Sequence, residues 1–438
     1  MAAAVSHWRR RRSSLCAALV VVGAVIVAFF GVSPCNALLL SEEAEEDNKS
    51  LVSRIAFGSC ANQSAPQPIW DAIIDFNPHV FIWLGDNIYG DIRRPFRLFG
   101  KQRTIGPWKN VPRFIPSSEH EMQSRYLLAK NSPGYSRLRL STKVIGTWDD
   151  HDYGLNDAGK EFSAKITNQR LLLDFLDEPQ DSPRRKQAGV YASYTFGPRG
   201  RQVKVILLDT RYHRDPLFSD GSILGSLQWE WLAKELKGPA TAITIIGSSI
   251  QREGVFFISG DVHFGEITRY DCAAGYPLYD ITSSGITQAV EKAVPSPLHF
   301  LVRVAARLTP STMRVMDRGC SYSSCTYGKP NFGIVEINWD TAPVNLKFEV
   351  RDENGDTVIG VNTSLSQLKA QRTESKFTKV EGKYKNHCLL EVELPWMIRY
   401  RLAIMFFCTV GVLLLLLIGV FYTVISLCSR CLQKCKLD

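Results

Sequence analysis

Short unbroken apolar runs alternate with amphipathic ones through the middle of the chain. Residues 54–58, 80–84 and 143–148 are compact apolar runs and read as buried strands. Residues 68–76 place Ile69, Trp70, Ile73 and Ile74 at helical spacing, and 119–129, 163–176 and 224–236 read as further helices. Residues 191–196 and 203–209 read as paired strands. Strands at 243–250, 255–259, 281–284, 332–338 and 345–351 follow. Residues 93–116 form a polar loop rich in Pro and Arg. Short strands alternating with helices predict an α/β sandwich, and no internal repeat is visible.

Two longer apolar segments lie outside this alternation. Four arginines, Arg9 to Arg12, precede an apolar stretch at 15–32 that ends in Ser33, Pro34, Cys35, Asn36 and Ala37. A charged start, an apolar core and a small-residue exit read as a cleavable signal peptide over 1–37. An uncleaved anchor is the alternative, since 18 apolar residues can just span a bilayer. Residues 402–427 carry no charge and exceed the ~20 residues needed to cross the hydrocarbon core. The resulting organisation is an acidic spacer at 38–52, a body at 53–352, a membrane-proximal linker at 353–395, a membrane helix, and a short Cys/Lys tail at 428–438. It predicts a single-pass type I protein of the secretory pathway, its body luminal or extracellular. Cys428, Cys431 and Cys435 would sit at the inner membrane face, as S-palmitoylation sites or as reduced thiols.

The charge fits this picture. The net charge is +9, from 52 Lys and Arg against 43 Asp and Glu. Nine of the cations flank the two terminal apolar segments; without them and Asp438 the balance is 43 against 42. A basic nucleic-acid-binding surface is therefore not expected. Five cysteines fall in the luminal part of the chain, in the body and the linker: Cys60, Cys272, Cys320, Cys325 and Cys388. An odd count in an oxidising compartment leaves one thiol over, and Cys60 is assigned as that one. Cys320 and Cys325 are the nearest local pair for a disulfide. Asn48, Asn62 and Asn362 head glycosylation sequons, with Asn62 expected to stay unmodified because it lies beside the proposed site.

Polar clusters follow the apolar runs. Gly58-Ser59-Cys60, Gly85-Asp86-Asn87-Ile88-Tyr89, Asp149-Asp150-His151-Asp152 and Gly260-Asp261-Val262-His263 each sit where a strand ends. Ligands in open α/β sheets bind outside the carboxyl ends of strands, so four such clusters point to one crevice. Each dipeptide alone would read as a turn. Carboxylates and an amide suit a hard cation such as Ca²⁺. Thiolate, phenolate and imidazole suit Fe or Zn. Two metals bridged by a carboxylate would clamp the attacking and leaving oxygens of a phosphoryl displacement. His151 could protonate the leaving oxygen or steady transition-state charge.

These blocks, together with Trp148 through Asp157, Leu208-Asp209-Thr210-Arg211-Tyr212 and Ser259 through Glu266, resemble the signature blocks of PhoD-type alkaline phosphatases in the calcineurin-like metallophosphoesterase superfamily. They fall in family order over about residues 55–350. The resemblance implies a four-layer α/β/β/α sandwich and metal-dependent hydrolysis of phosphate mono- or diesters. It implies Fe³⁺ and Ca²⁺, with Zn²⁺ as an alternative. Cys60, Asp86, Tyr89, Asp261 and His263 match as metal ligands; Asp150 and Asn156 match the second-metal region, and Asp150 and His151 the acid region. Asp209 and Arg211 match a motif suited to orientation or phosphate contact, and Arg211 is counted with the catalytic set.

One departure stands out. Only Gln251, Arg252, Glu253 and Gly254 separate the strands at 243–250 and 255–259. Parallel neighbours need a crossover of about a dozen residues. The resemblance implies a loop and an amphipathic helix here. The pair is therefore an antiparallel hairpin or lacks a segment, and the second reading is favoured. It predicts a weakened or inactive site with a binding role as the alternative to hydrolysis.

Overall fold

The computed structural model describes residues 50–93, 114–216, 221–247, 255–271, 276–294 and 325–368, a few residues between 296 and 304, and 396–434. The signal peptide, Asn48, most of the polar loop, Cys272, Cys320, Cys388, the linker beyond residue 368 and the last four residues lie outside them.

The chain opens with β1 (Arg54–Gly58), α1 (Ile69–Phe76), β2 (Val80–Leu84) and the two-residue strands β3 (Ile92–Arg93) and β4 (Phe114–Ile115). Then come α2 (Glu119–Lys130), α3 (Pro133–Ser141), β5 (Lys143–Thr147), the single turn α4 (Asp150–Tyr153) and α5 (Lys165–Phe175). The second half holds β6 (Ala192–Phe196), β7 (Val203–Leu207), α6 (Gly225–Lys237), β8 (Ile243–Gly247), β9 (Val255–Ser259), β10 (Gly265–Tyr270) and β11 (Leu278–Ser283). It closes with β12 (Asn331–Asn338), β13 (Asn345–Asp352), β14 (Thr357–Ser364) and the long helix α7 (Arg401–Lys434).

The strands form two six-stranded sheets, ordered β14-β13-β12-β1-β2-β5 and β10-β11-β9-β8-β7-β6. Phe57, Ile82, Ile245, Phe256 and Phe348 belong to one shared apolar core between them. The Phe256 and Phe348 rings meet at 4.6 Å across it. β2 is buried along its whole length because both of its faces are covered. Ile82 and Leu84 enter the shared core, whereas Phe81 and Trp83 join Trp70 of α1, Tyr135 of α3 and Phe175 of α5 in a second core. Helix α6 lies against the other sheet, where Lys204 donates to the Glu235 carbonyl at 2.9 Å and Ser193 to its carboxylate at 2.8 Å. The apolar runs thus form a mixed α/β fold with two packed sheets.

Several expectations need correction. β14 pairs antiparallel with β13, and Leu365 and Leu368 are buried in the shared core. The body therefore runs past residue 352, to at least 368. Gly360 interrupts the apolar alternation of β14, which is why that segment reads as linker. β8 ends at Gly247 and pairs parallel with β9, Thr244 facing Val255 and Gly247 facing Ile258. The antiparallel hairpin is therefore excluded. β10 and α3 carry weak patterns and were not expected: β10 buries only Gly265 and Ile267, and α3 begins on Pro133 after Ser132. Within α7, Ala403–Ser426 is 24 residues and apolar enough to cross a membrane by length and composition.

Candidate metal centre

β1, β2 and β5 run parallel, so their carboxyl ends lie side by side. β9 belongs to the other sheet and ends on Ser259, and the loop after it meets the first sheet where Gly260 packs on Ser59. A Cβ there would stand 2.6 Å from the Ser59 hydroxyl and 2.9 Å from the Leu84 carbonyl. Gly85 has φ +98°, and a side chain there would meet Asp149 Cβ at 2.5 Å. Both positions need the bare backbone.

The chain also turns sharply at the proposed ligands. Cys60, Asp86, Asp261 and His263 all hold positive φ, at 59°, 49°, 70° and 64°. Such positions cost roughly 1–3 kcal/mol each and persist where surrounding structure fixes them. Here the Cys60 N–H donates to the Gly85 carbonyl at 3.4 Å and the Ala61 N–H to the Asp86 carbonyl at 2.9 Å. The His263 N–H donates to Ser284 Oγ at 2.9 Å, and His263 Nδ1 meets the Gln288 carbonyl.

These turns bring three overlapping donor groups together: Cys60, Asp86 and His263; Asp86, Asp150 and His151; and Asp149, Asp150 and Asp261. Within each group the donor atoms lie within 4.8 Å of one another. Cys60 Sγ is 3.5 Å from Asp86 Oδ2 and 3.2 Å from Ser284 Oγ. The Tyr89 hydroxyl is buried beside Cys60 and Asp86 without a well-formed hydrogen bond. Asp261 is exposed, so the cluster opens to solvent on that side.

Burial and like-charge crowding dominate the electrostatics. Burial pushes the Asp86 carboxyl well above the usual carboxylate range, and Asp150 adds to the push. Asp149 is pushed up by burial against the pull of Arg211. Burial also pushes up Asp150, but Arg211, His151 and the Asp157 N–H outweigh it and leave that carboxyl below its ordinary value. The Cys60 thiol is raised by burial and then by Asp86. Carboxylates, a thiol and an orphaned phenol packed this closely become anionic together only beside added positive charge. Hard and soft donors in overlapping sets fit two unlike cations.

Two residues of the predicted set have further roles. His151 Nδ1 is held by Asp91 Oδ1 at 2.8 Å, and its ring packs against Tyr89, tilted by 35° with the centroids 4.4 Å apart. Burial works against its charged form, yet Asp91, Asp86 and Asp150 lift its pKa to about 10. Arg211 reaches Asp149 Oδ1 through Nε at 2.5 Å and Asp150 Oδ2 through Nη1 at 3.9 Å. Its Nη1 is buried without a hydrogen bond. Asn156 donates its backbone N–H to Asp91 at 3.0 Å and its amide to Asp157 at 2.8 Å. Asp209 stays out of the cluster: its carboxylate accepts from Val190 N at 2.8 Å, Arg211 N at 2.9 Å and Tyr212 N at 2.8 Å, which fixes the loop carrying Arg211.

Sequence reasoning missed Asp91, Ser284 and the part played by Asp152. Asp152 Oδ1 accepts from Asp86 N at 3.2 Å and Asp149 N at 2.7 Å, and Oδ2 from Asn87 N at 3.2 Å. It ties the loop after β2 to the loop after β5. Cys60 is a free buried thiol, and Cys325 is disulfide-bonded.

A family model described as PhoD-like phosphatase matches residues 55–277, just over half of the chain. A solved structure titled "Structure of PhoD" is similar at 13% identity and a TM-score of 0.49, over 77% of this chain and 74% of that chain. No curated protein matches the chain.

Proposed function

The chain belongs to the PhoD-like phosphatase family, and from that premise we propose that it hydrolyses phosphate mono- or diesters at the strand-end cluster. The observation that carries this reading is the overlap of three donor groups through Asp86 and Asp150. In our reading Cys60, Asp86, Tyr89 and His263 would hold Fe³⁺, with Zn²⁺ as the alternative, and Asp149, Asp150 and Asp261 would hold Ca²⁺. Asn156 can add its carbonyl to the second cation, since its amide nitrogen is the atom engaged with Asp157. When bound, such cations supply Lewis acidity and lower the pKa of a water.

The chain's own residues do the rest. Asp91 holds His151 at Nδ1, which leaves Nε2 as the atom that can deliver a proton to the leaving oxygen. Arg211 Nη1, which makes no hydrogen bond, can meet a phosphoryl oxygen once Asp149 has fixed the guanidinium. The order of helices, sheet, sheet and α6 is consistent with the four-layer sandwich. We further read Ala403–Ser426 as a membrane anchor, with the body in the lumen or outside the cell and a signal peptide at 1–37.

A second reading is a weakened or inactive binding form. It is favoured by the parallel β8–β9 pair, which leaves only residues 248–254 for the connection. One experiment decides between them. The full chain, purified in detergent, is assayed for bound Fe, Zn and Ca and for turnover of a panel of phosphate mono- and diesters. Stoichiometric metal with turnover supports hydrolysis. Metal without turnover supports the second reading, and neither metal nor turnover rejects both.

A further inference from the structure

The sequon Asn362-Thr363-Ser364 has no part in the chemistry above, and the fold gives it a distinct place. It lies on β14, the edge strand of the first sheet. The register runs Arg54, Glu336, Lys347, Asn362 across β1, β12, β13 and β14, so these residues share one row. Their neighbours Val335, Phe348 and Val361 point into the core between the sheets, so the row faces outward. No helix among the described residues covers it. Instead Glu336, Asn338, Asn345, Lys347 and Asn362 line a polar hollow of about 530 Å³. Asn362 is exposed, and its side-chain amide makes no hydrogen bond among the described residues.

We propose that Asn362 carries an N-linked glycan that lies over this hollow, and that Asn62 does not. The proposal rests on the luminal placement of the body. The Asn362 amide nitrogen forms the bond to the anomeric carbon of an oligosaccharide carried on a lipid pyrophosphate. The carbon–oxygen bond to the pyrophosphate breaks, the lipid pyrophosphate leaves with the electron pair, and the amide loses one proton. A hydrated sugar meets here the amides of Asn338 and Asn345, the Glu336 carboxylate and the Lys347 ammonium. It also shields a sheet edge that would otherwise offer unpaired backbone groups.

The two sequons differ in where the strands put them. The row of Asn362 crosses β1 at Arg54, at the opposite end from Gly58 and the metal cluster. Four residues of strand, at about 3.3 Å each, separate those ends. A glycan there leaves the cluster open. Asn62 is only two residues beyond Cys60. Its Oδ1 accepts the Ser64 N–H at 2.9 Å and its own N–H donates to Thr287 at 2.7 Å, so its amide is held in a local turn.

The test is expression of the full chain in a eukaryotic secretory host, then peptide N-glycosidase in ¹⁸O water and mass spectrometry. Conversion of Asn362 to labelled Asp is expected, with Asn62 recovered as unlabelled Asn. Asn362→Gln should remove one glycan's mass and leave phosphoester turnover within about twofold. Unlabelled Asn362 in chain recovered from membranes overturns the proposal, as does a labelled Asn62. Failure of the hydrolase reading is a separate result: glycosylated chain that binds no metal and turns over no ester.

Discussion

Asp152→Asn isolates the geometry that holds the metal cluster. The substitution keeps the shape of the side chain and replaces one acceptor oxygen with a donor. In the better flip, the amide oxygen takes the Oδ1 place and still accepts from Asp86 N and Asp149 N, now without charge. The amide nitrogen then faces the Asn87 N–H, which is left buried and unsatisfied. That orphaned donor costs ~1–3 kcal/mol, and the two weakened bonds lose about 1 kcal/mol each. The sum is roughly 3–5 kcal/mol. At about 1.5 °C per kcal/mol for a body of roughly 315 residues, the melting temperature should fall by roughly 5–8 °C. The assay is calorimetry of chelator-treated wild type and variant. A second readout separates folding from positioning: at a temperature where both are folded, metal affinity should drop ~10–100-fold, as for other residues that orient ligands. A variant that melts within about 1 kcal/mol of wild type and binds metal equally well would refute the assignment of Asp152 as the tie between the two loops.

Asp91→Asn should lower kcat for alkyl phosphates, whose leaving oxygen needs a proton, by ~10²-fold or more, while p-nitrophenyl esters slow far less; equal losses on both would count against His151 as the acid. Cys60→Ser should abolish any thiolate-to-metal charge-transfer band and reduce Fe occupancy, read by absorbance and metal analysis; an unchanged spectrum would remove Cys60 from the ligand set. In metal-free protein the folded pKa of His151, about 10, lies above its unfolded value of about 6.5. Its stabilisation is therefore complete below about pH 6.5 and lost as pH rises through about 10. Urea midpoints from pH 7 to 10.5 should fall more in wild type than in His151→Gln, and parallel curves would contradict the charge-paired His151.

The sequence makes the cluster visible because its chemistry follows apolar runs. Asp86, Asp149, Asp150, Asp261 and His263 each sit within four residues of a strand end. A strand end is where α/β sheets place ligands, so position and residue type agree. Asp91 has no such marker. It lies in the loop after Tyr89, and only the folded chain brings it to His151, 60 positions away. Ser284 is similar, since a serine after a strand reads as a turn until its hydroxyl is found on Cys60. Asp152 shows the converse limit. In a run of four ionisable residues any one can read as a ligand, and only the hydrogen bonds separate the scaffold from the site. The same holds for strands: β2 announces itself by five buried residues, while β10 buries two and takes its place from its pairing with β11.

The short connection before β9 bears on which functional reading stands first. Residues 248–254 must lead from Gly247, at the carboxyl end of β8, to Val255, at the amino end of its parallel neighbour. Gly247 is level with Ile258, so going back three residues and across one strand spacing takes about 11 Å. Eight Cα steps reach roughly 26 Å, so the span needs no helix. A helix there would add cover to the outer face of the second sheet, where Phe257 faces Asp280. The loop after β9, which carries Asp261 and His263, has described contacts of its own. Gly260 is seated on Ser59, the His263 N–H is fixed by Ser284, and the His263 carbonyl accepts from Val290 N at 2.9 Å. These contacts come from the residue that follows β1 and from the segment after β11. A reduced cover over the sheet would cost stability before it displaced Asp261 or His263. The positions of the donors therefore favour hydrolysis over a pure binding role.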